Sequence, residues 1–277
     1  MSFKIITADQ RMEQQTGTKI QVWGACGVGK TSLLWTLDAA TTLAIDLEAG
    51  MKAVQGWQGR SVSVRTWDDC RDIACWIGGP NPALRQDQPY SQAHHGFVSE
   101  TYGDFPADIK TVFIDSTSNA GRYCLQWAKG QPAAFSEKSG KPDMRGAYGL
   151  LAQEIVAWAE QLQHVPNLNI ILVGGLEEKL DEFNRPTQTP LIDGAKSASV
   201  LPYIFDEVIT MAIMRADDGQ PYRAFICGAN PWSYPAKDRS GRLSMIEKPH
   251  MGELIDKINQ PLSRPIFENL SYQIKGE

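Results

Sequence analysis

The pattern that most constrains this chain runs from Gly24 to Thr31 and reads GACGVGKT. It fits the spacing G-x-x-x-x-G-K-[ST], follows the apolar run KIQVW and precedes TSLLWTLDAA, which has helical periodicity. Glycines at these positions let the backbone curl so that several N–H groups point at one phosphate chain, and the start of the following helix adds partial positive charge. The pattern predicts a phosphate-binding loop between a strand and a helix.

The residues of this loop have separate expected roles in binding a nucleotide. Lys30 is expected to place its ammonium between the β- and γ-phosphates, and the Thr31 hydroxyl is expected to ligate Mg²⁺. ATP and Mg²⁺ are therefore the expected cofactors. The predicted nucleotide-binding residues are Gly24, Ala25, Cys26, Gly27, Val28, Gly29, Lys30, Thr31 and Ser32.

Carboxylates follow two other apolar runs and complete the predicted site. Asp115 ends the run TVFID, where it would hold Mg²⁺ through its waters. Asp46 and Glu48 lie at the end of TLAIDLE, and a carboxylate there could orient and deprotonate an attacking water. The alternative for Asp46 and Glu48 is an acid that is merely solvated on a loop.

Apolar, β-branched runs alternate with segments of helical spacing along most of the chain. This alternation implies parallel strands joined by helical crossovers, and runs such as TVFID and NIILVG suit strands buried on both faces. We therefore predict an α/β fold with a mostly parallel sheet covered by helices on both faces. The predicted strands are 19–23, 42–47, 62–66, 111–114, 169–173, 207–213 and 223–227, and the predicted helices are 30–39, 68–77, 119–129, 147–164 and 251–259.

Two long polar segments, 78–108 and 129–146, interrupt this alternation. Structureless loops of such length within a domain are usually functional or disordered. The first is predicted to be a surface insertion, in which the adjacent His94 and His95 are loop residues. The predicted organisation is an N-terminal segment, 1–18, a core, 19–215, and a C-terminal strand, loop and helix extension of that core, 216–277.

Composition excludes several classes of protein. The 277 residues carry a net charge of −5, so a protein that coats duplex DNA by bulk charge is excluded and any contact with nucleic acid would come from a local patch. The sequence has neither an apolar stretch of about 18 residues nor a signal-peptide pattern at its start, so we expect a cytoplasmic protein with no membrane partner. The five cysteines have no C-x-x-C spacing and are expected to be reduced.

The order of these features resembles the core of RecA-like ATPases, and most closely a phage-encoded group of nucleotide-binding proteins that includes single-strand annealing proteins and recombinases. The resemblance covers about residues 20–242 and is carried in order by GACGVGKT, AIDLE, VFIDS, DMRGAYGLLAQEIVAWAEQL, NIILVGG and DGAKSASVLPYIFDEVITM. It implies a RecA-like P-loop core in the cytoplasm of a phage host. It also implies that Glu48 is the catalytic glutamate and Asp115 the aspartate on the Mg²⁺ side.

The resemblance further implies that two loops bind single-stranded DNA. Their counterparts are 129–146 and 176–195, of which only the first is basic. A groove for single strands should be positive, and bases stack on aromatic rings. Lys138, Lys141, Arg145 and Tyr148 are therefore the predicted DNA-binding residues. A solvated linker is the alternative for the first loop.

Two departures from the RecA pattern concern the γ-phosphate and the neighbouring subunit. The polar pair that senses the γ-phosphate in RecA proteins is replaced by Gly174 and Gly175, so the sensing role would pass to Glu177 or Lys179 or would be absent. The lysine pair that reaches a neighbour's ATP is absent from the strand RAFIC, and Lys237 and Arg239 are the nearest candidates for this trans-acting role, with Lys196 as another. Self-association into a ring or filament therefore stays open.

Three classes of function fit this set of residues. The leading hypothesis is a DNA-stimulated ATPase of recombination or annealing, in which Mg-ATP orders loops that bind single-stranded DNA. A helicase loader, packaging motor or assembly ATPase would use the same P-loop, Glu48 and Asp115. A small-molecule P-loop kinase would need an arginine-rich lid, and the 78–108 insertion offers the single arginine Arg85.

Overall fold

A ten-stranded sheet runs through the part of the chain that the computed structural model describes, residues 5–7, 9–10, 16–180, 182–231 and 233–260. Most of the predicted N-terminal segment, 1–18, and residues 261–277 of the predicted extension lie outside the described residues. The strands are β1 (Lys19–Gly24), β2 (Thr42–Asp46), β3 (Arg60–Ser63), β4 (Thr111–Asp115), β5 (Asn169–Leu180), β6 (Pro186–Leu191), β7 (Glu207–Arg215), β8 (Pro221–Ile226), β9 (Lys237–Asp238) and β10 (Ile246–Glu247).

The strand order is β10-β8-β7-β1-β5-β4-β2-β3, with β6 paired to β5 and β9 paired to β7. All pairs from β7 to β3 are parallel, whereas β8, β10, β6 and β9 pair antiparallel with their neighbours. Gly24 lies opposite Gly175 and Asp46 lies opposite Asp115. The carboxyl ends of β1, β5, β4 and β2 therefore meet along one edge of the sheet, where ligands of open α/β sheets bind.

Six α-helices connect or follow these strands in the described residues, and four of them begin at a Thr, Ser or Asp whose side chain accepts a backbone N–H. None of them is long and apolar enough to cross a lipid bilayer. The helices are α1 (Trp67–Gly78), α2 (Gln92–Tyr102), α3 (Thr117–Lys129), α4 (Met144–Gln163), α5 (Ala195–Ile204) and α6 (Met251–Ile258), and 3₁₀ helices cover Thr31–Thr36, Gly50–Val54 and Pro132–Ala134.

Two hydrophobic cores lie on opposite faces of the sheet. Ile170 and Leu172 of β5 pack into the core beneath α1 to α5, whereas Ile171 and Val173 pack into the core that holds Leu33 and α6. Successive side chains of a strand point to opposite faces, so a strand buried on both faces must be apolar at consecutive positions. This arrangement confirms the predicted α/β fold, and β8, β10 and α6 extend it as the C-terminal part was expected to do.

The helix predicted over 30–39 is shorter and wound differently. The structure forms a 3₁₀ helix over Thr31–Thr36. Thr36 Oγ1 donates a 2.6 Å hydrogen bond to the Leu33 carbonyl, and the Leu37 N–H bonds the Leu34 carbonyl instead. The Thr36 hydroxyl thus occupies the Leu33 carbonyl, which the Leu37 N–H would bond in an α-helix. This explains why an α-helix predicted from the sequence periodicity does not form here.

Two segments predicted as loops contain regular structure. The 78–108 insertion includes α2, so His94 and His95 are helical, and the His94 ring lies 2.9 Å from the Asp72 carboxylate of α1. Most of the 176–195 segment forms the β5–β6 hairpin, whose polar residues are half-buried or exposed as in a two-stranded ribbon. Both predictions were wrong because polar composition does not decide the backbone conformation: Ser91 caps a helix in the first segment and cross-strand pairing forms a hairpin in the second.

Candidate functional site

The loop after β1 has the glycine-dependent geometry of a phosphate-binding loop. Gly27 and Gly29 have φ values of +75° and +104°, a region that favours glycine. A Cβ at Gly24 would lie 2.8 Å from Val28 Cγ1 and 2.9 Å from the Met211 carbonyl oxygen, so only glycine allows this close approach. Val28 is buried in the core, whereas the three residues from Ala25 to Gly27 are exposed. The exposed part of the loop is thus fixed at both ends.

Lys30 and Thr31 lie at the end of this loop and point into the site. Lys30 Nζ donates hydrogen bonds of 3.0 Å and 3.1 Å to the carbonyl oxygens of Gly24 and Ala25. Thr31 Oγ1 donates a 2.5 Å hydrogen bond to Asp115 Oδ2 at the end of β4. The structure therefore brings together the lysine, the hydroxyl and the carboxylate that the sequence predicted would share a site; Ser32, the last predicted loop residue, is exposed beside them.

Asp115 is the most deeply buried acid of this edge, with 5% of its surface exposed. Burial raises its pKa from 3.8 to about 6, and the negative charges of Glu48 and Asp46 act in the same direction. The hydrogen bond from Thr31 and the charge of Lys30 lower the pKa in part. Asp115 Oδ1 is buried and has no hydrogen-bond partner among the described residues. A buried acceptor without a partner is costly, so this oxygen is suited to a cation.

The oxygen atoms around Asp115 are suitable ligands for a Mg²⁺ ion. Mg²⁺ binds oxygen ligands and is commonly held by one or two protein oxygens together with waters and substrate phosphates. The Thr31 hydroxyl and the unpartnered Asp115 oxygen are such ligands. In the described part of the chain, no group of three or more His, Cys, Asp and Glu residues is placed to hold a metal by itself.

The structure gives the two candidate bases different environments. Asp46 is buried, and its Oδ1 accepts the backbone N–H groups of Glu48 and Gly50 at 3.1 Å and 3.0 Å, so its carboxylate shapes the turn. Glu48 is exposed, and its Oε1 accepts a hydrogen bond from the hydroxyl of Ser116, the residue after Asp115. Glu48 is therefore the carboxylate of this pair that water can reach.

Helix α3 holds the segment that carries Glu48. The Leu47 carbonyl accepts hydrogen bonds from Asn119 Nδ2 at 2.8 Å and from the Tyr123 hydroxyl at 2.9 Å. The Leu47 N–H donates to the Asp115 carbonyl at 2.6 Å. Sequence reasoning missed Asn119 and Tyr123. Their spacing of four residues on a predicted helix that starts beside Asp115 was the available signal.

The four predicted DNA-binding residues lie on and after the segment between α3 and α4. Lys138, Lys141 and Arg145 are all exposed, and no hydrogen bond or ion pair of their side chains to another described residue is found. Tyr148, in the first turns of α4, is 42% exposed. The segment folds back on itself through a bridge between Phe135 and Pro142, which keeps the two lysines on one short turn.

The β5–β6 hairpin, which replaces the second predicted loop, is tied to the start of α3. Ser118 Oγ accepts the Gly175 N–H at 2.9 Å and donates to the Leu191 carbonyl at 2.6 Å. Ser118 lies three residues after Asp115 in the chain. The base of the hairpin is thus held next to the predicted metal side of the site.

Gly174 and Gly175, which stand where RecA proteins have the pair that senses the γ-phosphate, are explained by the packing around them. A Cβ at Gly174 would lie 2.3 Å from the Trp23 ring, and one at Gly175 would lie 3.0 Å from a Leu191 methyl group. Trp23 itself is 1% exposed and lies opposite Gly174 on β1. A polar sensing side chain at Gly174 is therefore excluded, because the indole occupies its space.

The predicted trans-acting pair lies near the amino end of β7, away from the P-loop edge. Lys237 Nζ donates to the carbonyl oxygens of Pro202, Tyr203 and Phe205 at the end of α5. Arg239 forms a 2.6 Å ion pair with Asp206. Both side chains have structural contacts within their own chain, and their trans-acting role stays a prediction.

A basic residue that sequence reasoning passed over reaches the P-loop instead. Arg223 of β8 donates a 2.7 Å hydrogen bond from Nε to the Val28 carbonyl oxygen. Its side chain also lies beside Gly29, where a Cβ would be 3.5 Å from Nε. The sequence predicted the strand that contains Arg223. The contact of Arg223 with the P-loop after β1 depends on the antiparallel pairing of β8 with β7, which the sequence did not show.

Comparison with solved structures gives only distant similarity. An ATPase from the type III secretion system of pathogenic bacteria is 13% identical with a TM-score of 0.38, over 71% of this chain and 51% of that one. The flagellar accessory protein FlaH from Methanocaldococcus jannaschii is 10% identical with a TM-score of 0.33, over 78% and 81%. The pCW3 conjugation coupling protein TcpA is 11% identical with a TM-score of 0.34, over 70% and 49%. The chain spans about half the length of the first and third of these proteins.

The match to a family model is more informative. No curated protein matches this sequence. A family model described as an AAA domain, AAA_24, matches residues 16–240, which include the P-loop, β4 with Asp115, and the strands on both sides of β1. The chain therefore belongs to the AAA_24 family of AAA domains, which are P-loop ATPases.

Proposed function

We propose that this protein binds and hydrolyses Mg-ATP and uses the reaction to act on single-stranded DNA in phage-type recombination or annealing. The observation that carries the proposal is the convergence of Lys30, Thr31 and Asp115 at the carboxyl edge of the sheet, where Asp115 Oδ1 has no hydrogen-bond partner among the described residues. A lysine, a hydroxyl and a buried carboxylate at the end of a P-loop supply the contacts that a nucleoside triphosphate needs.

Each side chain of the site has a defined part in the proposed hydrolysis. Backbone N–H groups of the P-loop bind phosphate oxygens, and Lys30 exchanges its two loop carbonyls for the β- and γ-phosphates. Mg²⁺ supplies charge neutralisation on those phosphates when it is bound. Thr31 and Asp115 hold the ion. Glu48, oriented by the Ser116 hydroxyl, accepts the proton of the attacking water.

The proposed DNA contact is the exposed turn that carries Lys138 and Lys141, together with Arg145 and Tyr148. The three cations are exposed and have no ion-pair partner in the described residues, so phosphates would not have to compete with carboxylates. Tyr148 adds an exposed ring on which a base could stack. Because the net charge of −5 gives no general attraction to DNA, binding would depend on such a local patch, and stacking on Tyr148 needs the unpaired bases of a single strand.

A short path of hydrogen bonds connects the ATP site with the β5–β6 hairpin, the counterpart of the second predicted DNA-binding loop. Ser116 bonds Glu48, and Ser118, two residues later, bonds both strands at the base of the β5–β6 hairpin. A nucleotide that contacts Glu48 and Asp115 would therefore affect the position of the first turn of α3. We propose that Mg-ATP acts on the hairpin through these contacts.

The alternative of a small-molecule kinase rests on the one arginine of the 78–108 insertion. Arg85 is exposed and lies 3.1 Å from the Asp87 carboxylate, an ion pair that a substrate phosphate could replace. A single arginine is fewer than the arginine-rich lid that such a kinase needs, so the ATPase is the preferred proposal. A helicase loader or motor would use the ATP site as proposed here, and it differs from the proposal in what it does to DNA.

The test is ATP turnover by the purified protein with and without single-stranded DNA, alongside annealing of complementary strands. We expect DNA to stimulate turnover and the protein to accelerate annealing. Glu48→Gln should keep ATP bound while turnover falls by about 10²–10⁴-fold, the usual scale for loss of a general base. Glu160→Gln, a change at an exposed glutamate of α4, is the matched control and should leave turnover unchanged.

The outcomes separate the parts of the proposal. Wild-type turnover in Glu48→Gln would place the base elsewhere. An ATP turnover rate that DNA does not change would contradict the DNA role but would not contradict the proposed ATPase activity. Turnover stimulated by DNA without any annealing of strands would favour a motor.

A further inference from the structure

Arg223 is an exposed arginine of β8 that reaches the P-loop of its own chain. Its Nε bonds the Val28 carbonyl at 2.7 Å, and this is the one hydrogen bond found for its side chain within the described residues. No carboxylate among them lies within ion-pair distance of the guanidinium. The two terminal nitrogens of a guanidinium, with four N–H donors, are thus left free at the edge of a loop that binds anions.

The order of the strands decides which part of a nucleotide would meet Arg223. Asp115 and Asp46 end β4 and β2, which lie on one side of β1, whereas β7 and β8 lie on the other side. A triphosphate that follows the loop with its γ-phosphate beside Asp115 and Thr31 therefore extends its α-phosphate and ribose toward β7 and β8. Arg223 lies on that side.

We infer that Arg223 is a nucleotide-positioning residue that binds the α-phosphate and ribose end of the nucleotide on its own chain. The inference rests on the proposed ATP site and adds a contact that the P-loop pattern does not contain. The Nε bond to Val28 holds the guanidinium plane against the loop, and the free terminal nitrogens bind phosphate and ribose oxygens. A planar fork anchored at one nitrogen suits this task because little side-chain freedom is lost when the ligand binds.

The contact has a distinct signature in binding. The α-phosphate and ribose are common to ATP and ADP, so loss of the contact weakens both nucleotides by the same factor. A hydrogen bond to a charged group corresponds to about tenfold to a hundredfold in affinity. Loss of a contact that binds ground state and transition state equally raises KM for ATP and leaves kcat unchanged.

The test measures the affinities of Mg-ATP and Mg-ADP by calorimetry for wild type, Arg223→Gln and Arg223→Lys. Gln keeps a donor for the Val28 carbonyl but has no charge, whereas Lys keeps the charge. We expect Arg223→Gln to lose about tenfold to a hundredfold for both nucleotides and Arg223→Lys to lose less. Arg215→Gln is the matched control: this exposed arginine ends β7 and bonds Gly219 in the following turn, so both affinities should match wild type.

Three results would overturn the inference. Equal affinities of Arg223→Gln and wild type would exclude a ligand contact. Equal losses of nucleotide affinity in the Gln and Lys variants would show that Arg223 only stabilises the loop at Val28 and does not contact the nucleotide. A loss confined to ATP would move the contact to the γ-phosphate. Wild-type protein that binds neither nucleotide would instead contradict the proposed function. Thermal unfolding of each variant without nucleotide verifies that the fold is retained.

Discussion

Replacement of Asp115 by asparagine should stabilise the nucleotide-free protein while removing its capacity to hold Mg²⁺. The carboxyl is 5% exposed, and burial raises its pKa from 3.8 to about 6. When the pKa of an acid is higher in the folded chain than in the unfolded chain, its contribution to stability is complete below the unfolded value and is lost as pH rises through the folded value. Asparagine keeps the shape and an oxygen for the Thr31 hydroxyl, but it carries no charge to bury.

The size of the effect follows from the two pKa values. The difference between 3.8 and about 6 corresponds to about 3 kcal/mol, at ~1.4 kcal/mol per pH unit. Above the folded-state value, at about pH 8, Asp115→Asn should therefore gain roughly this free energy of unfolding. At about pH 5 the carboxyl is protonated in the folded chain and mostly ionised in the unfolded chain, so the gain falls to about 1.5 kcal/mol.

The assay is urea unfolding of both proteins at these two pH values, with a chelator and without nucleotide. Asp46→Ala is the control of opposite sign: Asp46 accepts two backbone N–H groups, and their loss should cost about 1–3 kcal/mol at either pH. Added Mg-ATP should raise the stability of wild type through binding and should have little effect on Asp115→Asn. An Asp115→Asn protein that is less stable than wild type at about pH 8, or that gains equally at both pH values, would refute the reasoning.

Three further changes test other parts of the molecule. Lys30→Ala should abolish ATP binding, because backbone dipoles cannot replace the ammonium between the phosphates; calorimetry with unchanged affinity would contradict the assignment. Neutralising Lys138, Lys141 and Arg145 together should weaken binding of single-stranded DNA and flatten its salt dependence by up to about 0.7 per lost phosphate contact, and an unaltered slope would move the DNA site to another surface. Lys237→Met removes three hydrogen bonds to carbonyls at the end of α5, so urea unfolding should show a loss of about 1–3 kcal/mol with ATP turnover retained, whereas abolished turnover in a stable variant would support the trans-acting role.

Much of the catalytic edge could be predicted because its residues are close in sequence or lie at the ends of buried strands. Parallel strands bring their carboxyl ends to one edge, so a carboxylate after TVFID was expected to lie near the loop after KIQVW. The observed bond between Thr31 and Asp115 agrees with that expectation. The choice between Asp46 and Glu48 could not be made from composition, because it depends on which carboxylate faces backbone N–H groups and which faces water.

The parts that were missed depend on contacts between distant segments. Polar composition predicted loops over 78–108 and 176–195, but a helix and a hairpin form there, since capping by Ser91 and cross-strand pairing satisfy the backbone. Gly174 departs from the RecA pattern because Trp23, on the adjacent strand, occupies the space that a side chain would need, and the sequence does not show that these two residues are paired.

Residues 24–31 by themselves determined the phosphate-binding loop, because glycine freedom, the preceding strand and the following lysine and hydroxyl act within a few residues of one another. Only the tertiary structure decided that Lys237 caps a helix and that Arg223 reaches the loop. Those assignments depend on β9 pairing with the amino end of β7 and on β8 pairing along the rest of it. Strand pairing brings together side chains that are far apart in the sequence, so local spacing cannot predict their distances. It places the guanidinium of Arg223, whose terminal nitrogens have no partner among the described residues, beside the P-loop.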